Sequence, residues 1–194
     1  LEYQILFSFI EESKKILKYK TNKEEQKRLI LSFGKIALLV DDLQDKTKIF
    51  SNREIKEEMD IIKNSSLDNP HWDKFLINLN KIMKNQKGNF LKNNEEKGGG
   101  FALCLIYLLN PTNLTQKITK AFYLAGAWGQ MIDNYADREC DGETLKKLSL
   151  KYKKQIRGLI GSDAVIPFAE DLMYLSKISY LPLVRNIFSA LNQS

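Results

Sequence analysis

Apolar residues recur at helical spacing through nearly all of this chain, and this periodicity is what most restricts its fold. Stretches such as LEYQILFSFIEESKKILKY (1–19) and TNKEEQKRLILSFGKIALLVDDLQDKTKIF (21–50) place apolar side chains three or four positions apart. Beta-branched residues occur only in short runs, and none of these runs alternates with polar residues over the length of a strand. The sequence therefore predicts an all-α fold.

The pattern predicts a single domain over residues 1–194 that is built from about seven to eight helices. Thr21 or Asn22 caps the second helix, a shorter helix covers about 52–64, and another starts near Asp68 with Pro70 in its first turn. The next predicted helix is NFLKNNEEKGGGFALCLIYLLN, with a glycine break at 98–100. It is followed by a helix that contains ITKAFYLAGAWGQMIDNYADRECDGET and by a helix over TLKKLSLKYKKQIRGLI. A last helix starts at about Asp163, and Pro182 kinks or splits it.

Composition limits the class of protein and its partners. With 194 residues, 43% of them hydrophobic and 28% charged, the chain is long and apolar enough to bury a core. A net charge of +6 favours an anionic partner, which could be a phosphorylated small molecule, nucleic acid or a membrane surface. Nucleic acid is disfavoured because the lysines are scattered and no recognition module is present.

Cysteine usage and the absence of a secretory or membrane-spanning segment predict a cytoplasmic protein. Cys104 and Cys140 lack metal-site spacing, and no apolar run reaches transmembrane length. Leu1 stands where a methionine would open a gene product, so we expect the sequence to start within a longer one, truncated at the N-terminus. The single histidine, His71, is interpreted as a surface or boundary residue and not as a ligand.

Two acidic clusters each follow an apolar helical run. The first ends FGKIALLVDDLQDK, and the second follows AFYLAGAWGQMI. Aspartates of the second cluster are spaced four residues apart, which predicts that they share one helix face because each such step rotates the side chain by only about 40°. If the two helices pack side by side, the carboxylate rows face each other across a cleft. The rows consist of Asp41, Asp42 and Asp45, and of Asp133, Asp137 and Asp141.

The chemistry of these rows indicates a metal site. Carboxylates this close repel one another, and burial raises their pKa values further. Mg²⁺ prefers oxygen ligands and combines one or two carboxylates with water and substrate phosphate. We therefore predict that the rows bind Mg²⁺ and a phosphorylated ligand. The alternative is that each cluster is a solvated helix face.

The two clusters also resemble a known family. DDLQD resembles the D-D-x-x-D motif of the class I isoprenoid synthase superfamily, and QMIDNYADRECDGE is similar to its second acidic motif. The D-x-x-x-D-x-x-x-D spacing looks closest to the tetraprenyl-β-curcumene synthase group of terpene synthases. The resemblance, over roughly residues 1–160, implies a barrel of antiparallel helices around an apolar cavity, with three Mg²⁺ ions and a prenyl diphosphate at its mouth. It implies that all six aspartates are metal ligands, and that Asp41, Asp42, Asp45, Asp133 and Asp137 are catalytic.

The function that the resemblance implies is that of a terpene synthase, which ionises a linear prenyl diphosphate and releases pyrophosphate. The alternatives are a chain-elongating trans-prenyltransferase, a non-catalytic helical protein that binds a prenyl chain or an enzyme partner, and a basic module that binds nucleic acid or anionic lipid. Elongating members carry an arginine pair soon after the first motif, whereas DDLQDKTKIFSNRE contains only Arg53. Two further alternatives for the partners of this protein are peripheral contact with a membrane and a second copy of the chain in a homodimer.

Further residues acquire candidate roles from the same resemblance. The basic run KKLSLKYKK is interpreted as a solvated face. Alternatively, a basic side chain near the second motif or on the last helix contacts the diphosphate, since the leaving group needs positive charge. The candidates are Arg138, Lys151, Lys153 and Arg185.

The apolar segments FALCLIYLL and FYLAGAWG are interpreted as ordinary core, with cavity lining as the alternative. As cavity lining, Phe101, Phe122 and Trp128 would stabilise a carbocation through their ring faces. The glycines at 98–100 are interpreted either as a surface loop or as the break that one cavity helix of terpene cyclases contains.

Overall fold

Seven α-helices account for most of the part of the chain that the structure describes. This computed structural model describes residues 2–45, 52–66, 68–84, 90–136, 138–161 and 164, and gives the backbone alone for 2–5, 41–45, 52, 55, 90 and 136. No strand occurs within these residues, so the all-α prediction is confirmed. The helices are α1 (Glu2–Ser13), α2 (Lys23–Asp45), α3 (Asn52–Ser65), α4 (Trp72–Lys84), α5 (Phe90–Leu108), α6 (Gln116–Ala136) and α7 (Gly142–Ile160).

Helix α5 lies at the centre of the packing. It contacts α4 and α6 extensively and also contacts α2, while α7 packs on α6, and both α1 and α3 pack on α2. Helices α5 and α6 form an antiparallel hairpin across the loop 109–115, and Thr115 caps α6 by accepting a hydrogen bond from the Ile118 amide at 3.3 Å. The predicted helix at 52–64 and the Asn22 cap, whose Oδ1 accepts from the Glu25 amide at 2.9 Å, agree with the structure.

The predicted glycine break in α5 is wrong. Helix α5 continues from Phe90 to Leu108 through the three glycines. A Cβ atom on Gly98 would overlap the carbonyl oxygen of Gly126, and a Cβ on Gly99 would overlap the ring of Tyr123. The glycines therefore allow α6 to pack closely on α5. This contact offsets the cost of about 1 kcal/mol that each glycine adds to a helix interior.

Two other boundaries differ from the sequence prediction. Helix α1 ends at Ser13, six residues before the predicted end, because the chain turns there and Tyr19 folds back so that its hydroxyl lies 2.5 Å from Ser13 Oγ. Helix α4 begins at Trp72, so Pro70 precedes the helix and does not lie in its first turn. Asn69 orders this entry by accepting a hydrogen bond from the His71 amide at 2.9 Å.

The core is built mainly from aromatic and branched side chains of α2, α5 and α6. Phe33 and Phe101 pack edge to face at 6.1 Å between α2 and α5, and Phe9 and Phe122 pack edge to face at 5.6 Å between α1 and α6. Trp128 is fully buried, and its Nε1 donates to Ser149 Oγ at 2.9 Å. These contacts agree with an ordinary core role for the apolar segments of α5 and α6. None of the described helices is both long and apolar enough to cross a membrane.

Candidate functional site

The direction of the helices brings both acidic clusters to the same end of the bundle. Thr21, just before α2, donates from Oγ1 to the carbonyl oxygen of Leu109, just after α5, at 3.0 Å. Further along, Phe33 of α2 packs against Phe101 of α5. The two helices are therefore antiparallel, so the end of α2 lies beside the beginning of α5.

The same reasoning places the end of α6 at this level. Gly98 of α5 packs between Gly126 and Gln130 of α6, and Ala102 packs against Gly126. These helices are also antiparallel. The end of α6, like the end of α2, therefore lies beside the beginning of α5.

Helical rise gives the levels of the two clusters along α5. Asp41 follows Phe33 by eight residues, about 12 Å along the axis, and Asn93 precedes Phe101 by the same interval. Gly98 packs between Gly126 and Gln130, and Asp133 lies about five residues, or about 7 Å, further along α6. Because α5 runs in the opposite direction, this is the level of Asn93, five residues before Gly98. Packed helix axes are about 8–10 Å apart, so we expect the backbones of the two clusters to lie within about 20 Å of each other.

Asp133 is exposed and oriented by a neighbouring amide. Gln130 Nε2 donates to Asp133 Oδ2 at 3.1 Å and to Asn134 Oδ1 at 3.2 Å. Asn134 is buried, and its carbonyl oxygen accepts from the amides of Glu139 at 2.7 Å and Cys140 at 3.3 Å as α6 ends. The Asp133 carboxylate thus stands on a fixed helix end.

Asp141 does not lie on the same helix as Asp133, contrary to the prediction from the four-residue spacing. Helix α6 ends at Ala136, and Asp141 is the N-cap of α7. Its carboxylate accepts from the Thr144 amide and from Thr144 Oγ1, both at 2.8 Å. These hydrogen bonds lower the pKa of Asp141 below its usual value. The chain turns because DRECDG contains polar and glycine residues, with Arg138 in a left-handed conformation at φ 64°.

The turn between α6 and α7 forms a groove of about 390 Å³. Its lining consists of Tyr135, Arg138, Glu139, Cys140 and Asp141. Arg138 is exposed at this groove, which places a basic side chain next to the second acidic cluster. Burial and the neighbouring carboxylates raise the pKa of the Cys140 thiol, so Cys140 is a poor nucleophile at neutral pH.

A polar cluster that the sequence analysis missed joins α5 to α7. The hydroxyl of Tyr152, on a buried residue, donates to Glu95 Oε1 at 2.5 Å, and Lys151 Nζ lies 3.5 Å from the same oxygen. Burial, and after it the bond to the Glu95 carboxylate, raises the pKa of Tyr152. Fifty-seven positions separate Glu95 from Tyr152, so no local pattern reveals this pair. Lys151, a candidate for binding diphosphate, is half exposed and paired with Glu95.

The donor chemistry at this end of the bundle fits a hard divalent cation. Asp133 and Asp141 present exposed carboxylates, and α2 ends at the same level with its own aspartates. Among the side chains that the structure describes, no three His, Cys, Asp or Glu residues form a metal-binding group. Several predicted ligands are not in that set: Asp137 lies outside the described residues, as do the side chains of Asp41, Asp42 and Asp45.

Of the two remaining basic candidates for diphosphate binding, the structure describes only one. Lys153 lies on α7 and is partly buried, whereas Arg185 and the predicted last helix lie outside the described residues.

Comparison with protein-family models, curated proteins and solved structures found no match. The resemblance to isoprenoid synthases therefore rests on the two acidic motifs.

Proposed function

We propose that this chain is a class I terpene synthase that ionises a linear prenyl diphosphate with Mg²⁺ and releases pyrophosphate. One observation carries the proposal. By helical rise, the antiparallel order of α2, α5 and α6 brings the start of DDLQD and the start of DNYADRECD to about the same level of the bundle. Two acidic helix ends that occur by chance need not lie at the same level of the bundle. A site that holds one diphosphate between two rows of carboxylates requires both rows to lie at the same level.

Residues of both acidic clusters, and a neighbouring arginine, act as follows in this proposal. Asp133, oriented by Gln130, binds a cation on the α6 side. Asp41, Asp42 and Asp45 bind cations on the α2 side, and Arg138 at the groove adds positive charge for the leaving group. Bound Mg²⁺ supplies Lewis-acid charge that neutralises the departing diphosphate. The prenyl chain extends from this end toward apolar side chains of the bundle, which keep water away from the cation.

The proposal includes the barrel architecture and the cofactor as well as the activity. It assigns three Mg²⁺ ions to the two rows, and an apolar cavity to the space that the helices surround. Asp141 keeps its capping role in α7 and binds a cation through an oxygen lone pair that the Thr144 hydrogen bonds leave open.

The experiment that tests the site is thermal unfolding with Mg²⁺ and pyrophosphate. Ligands that bind only the folded protein raise its melting temperature by mass action. We expect a rise with both ligands present in the wild type, and little rise in Asp41→Asn/Asp133→Asn. The matched control is Asp60→Asn/Asp73→Asn, which changes two exposed aspartates of α3 and α4 and should keep the full rise. An equal rise in the site variant would contradict the assignment.

A further inference from the structure

Most of the excess positive charge of this protein lies on one helix. Helix α7 contains six Lys or Arg residues and one Glu, which gives it five net positive charges, whereas the whole chain has a formal net charge of +6. A basic helix of this kind produces a local field that attracts anionic surfaces.

The charges are concentrated on the outer side of α7. The core side buries Leu145, Ser149, Tyr152 and Ile156, which recur every three or four positions. The opposite side is exposed and holds a stripe with lysines at both ends and an apolar residue between them. We call this the α7 basic face, and its members are Lys146, Lys147, Leu150 and Lys154.

Some basic side chains of this protein are paired with carboxylates. Lys15, just after α1, lies 2.6 Å from Glu12, and Arg53 of α3 lies 2.8 Å from Glu57. Within the described residues, none of the three lysines of the α7 basic face makes an ion pair. Their charge is therefore available to a partner.

Leu150 distinguishes between anionic partners. Its side chain is 64% exposed in the middle of the basic stripe. An exposed leucine gains nothing from the phosphates of a nucleic acid, but it gains free energy by entering the boundary between headgroups and acyl chains of a bilayer. A Cβ on Gly158, on the same side of the helix, would meet no described atom within 4 Å, so this side is open.

We propose that the α7 basic face docks on an anionic lipid surface. The lysines supply electrostatic attraction to acidic headgroups, and Leu150 inserts between them. The binding is peripheral and reversible, since one helix face with a single apolar side chain cannot hold a protein permanently at a membrane. This interaction is separate from the diphosphate site, so either proposal can fail without the other.

Sedimentation with vesicles tests the electrostatic part. The probes are vesicles of phosphatidylcholine alone and of phosphatidylcholine with 30% phosphatidylserine. We expect binding to the anionic vesicles only, and a loss at high salt because screening shortens the range of the attraction. Lys146→Gln/Lys147→Gln/Lys154→Gln should weaken binding about 100-fold, since each basic residue near such a surface contributes about fivefold. Glutamine keeps helix propensity, so α7 should remain folded.

The matched control removes equal charge elsewhere. Lys18, Lys20 and Lys117 are exposed, lie outside α7 at the end of the bundle away from the acidic clusters, and make no ion pair within the described residues. Their triple change to glutamine should retain most of the binding. An equal loss in both triple variants would show that net charge, and not the α7 basic face, drives binding, and would overturn the proposal.

A second variant separates lipid from nucleic acid. Leu150→Ser should weaken binding to the anionic vesicles by severalfold and leave binding to a short DNA duplex unchanged. Ile77→Ser is its control, because Ile77 is 66% exposed on α4 and should not affect vesicle binding. No binding to anionic vesicles, or tighter binding to DNA with no effect of Leu150→Ser on vesicle binding, would overturn the proposal.

Discussion

Gly98 and Gly126 lie against each other where α5 crosses α6, and neither position has space for a side chain. A Cβ atom on either glycine would overlap the carbonyl oxygen of the other. The contact fixes the separation and the register of the two helices. Since the register determines the level of Asp133 along α5, this pair of small residues positions the second acidic cluster relative to the first.

Replacing Gly126 with alanine should destabilise the protein by about 1–3 kcal/mol or more, because the new methyl group meets backbone and not a flexible side chain. Gly158 is the matched control. It lies inside α7 with no described atom within 4 Å of its Cβ position, so Gly158→Ala should stabilise the protein by about 0.5–1 kcal/mol. Urea denaturation measures both changes. A neutral Gly126→Ala variant would show that the helices can separate without cost.

The Trp128 indole should depend on Ser149 for its only described hydrogen bond. Ser149→Ala leaves a buried N–H without an acceptor, which we expect to cost about 1–3 kcal/mol. In the Trp128→Phe background the same serine change should cost much less, because the unpaired donor is gone. A double-mutant cycle by urea denaturation gives this coupling, and additive effects would contradict it.

Tyr152 should make stability fall at alkaline pH. Its pKa is raised in the folded state, while in the unfolded chain it ionises near pH 10. The contribution of the neutral hydroxyl is therefore complete below pH 10 and is lost as the pH rises above it. Tyr152→Phe should be less stable by about 1–2 kcal/mol at pH 8, since a hydrogen bond to a carboxylate is lost. The difference should narrow at pH 11; a constant difference in urea denaturation would be evidence against this.

Asp141→Asn should separate helix capping from metal binding. Asparagine caps helices about as well as aspartate, so the melting temperature without ligands should change little. The rise caused by Mg²⁺ with pyrophosphate should become smaller, because an amide is a weaker ligand than a carboxylate for this cation. Asp141→Ala serves as the comparison and should lower stability even without ligands. If Asp141→Asn keeps the full ligand-induced rise, Asp141 acts as a cap alone.

Turnover should require a single prenyl diphosphate. A chain-elongating enzyme must bind two diphosphates, yet the stretch after the first motif contains Lys46, Lys48 and the single arginine Arg53. Incubation with Mg²⁺ and farnesyl, geranylgeranyl or longer diphosphates, with and without isopentenyl diphosphate, followed by mass spectrometry of extracts, measures this. Products should form without isopentenyl diphosphate. Longer prenyl diphosphates that form only with it would indicate a transferase, and no turnover would favour a non-catalytic protein.

The acidic motifs were visible in the sequence, but their arrangement was not. The aspartates that follow the apolar runs can be read from residue types and spacing, as can the Asn22 cap. The four-residue spacing failed for Asp141, because a spacing predicts a shared face only while the helix continues, and α6 ends at Ala136. Glu95 and Tyr152 escaped prediction because their contact depends on how α5 and α7 pack.

The sequence by itself determined that this chain is helical, because periodicity, caps and the absence of alternating strands are local properties. Only the tertiary structure decided that α5 runs unbroken through its glycines, since their helix cost is offset by the close contact with Gly126. It also decided that the ends of α2 and α6 share one level of the bundle. That relation follows from the antiparallel packing of both helices on α5, which joins residues far apart in the chain and leaves no trace in any short stretch of sequence.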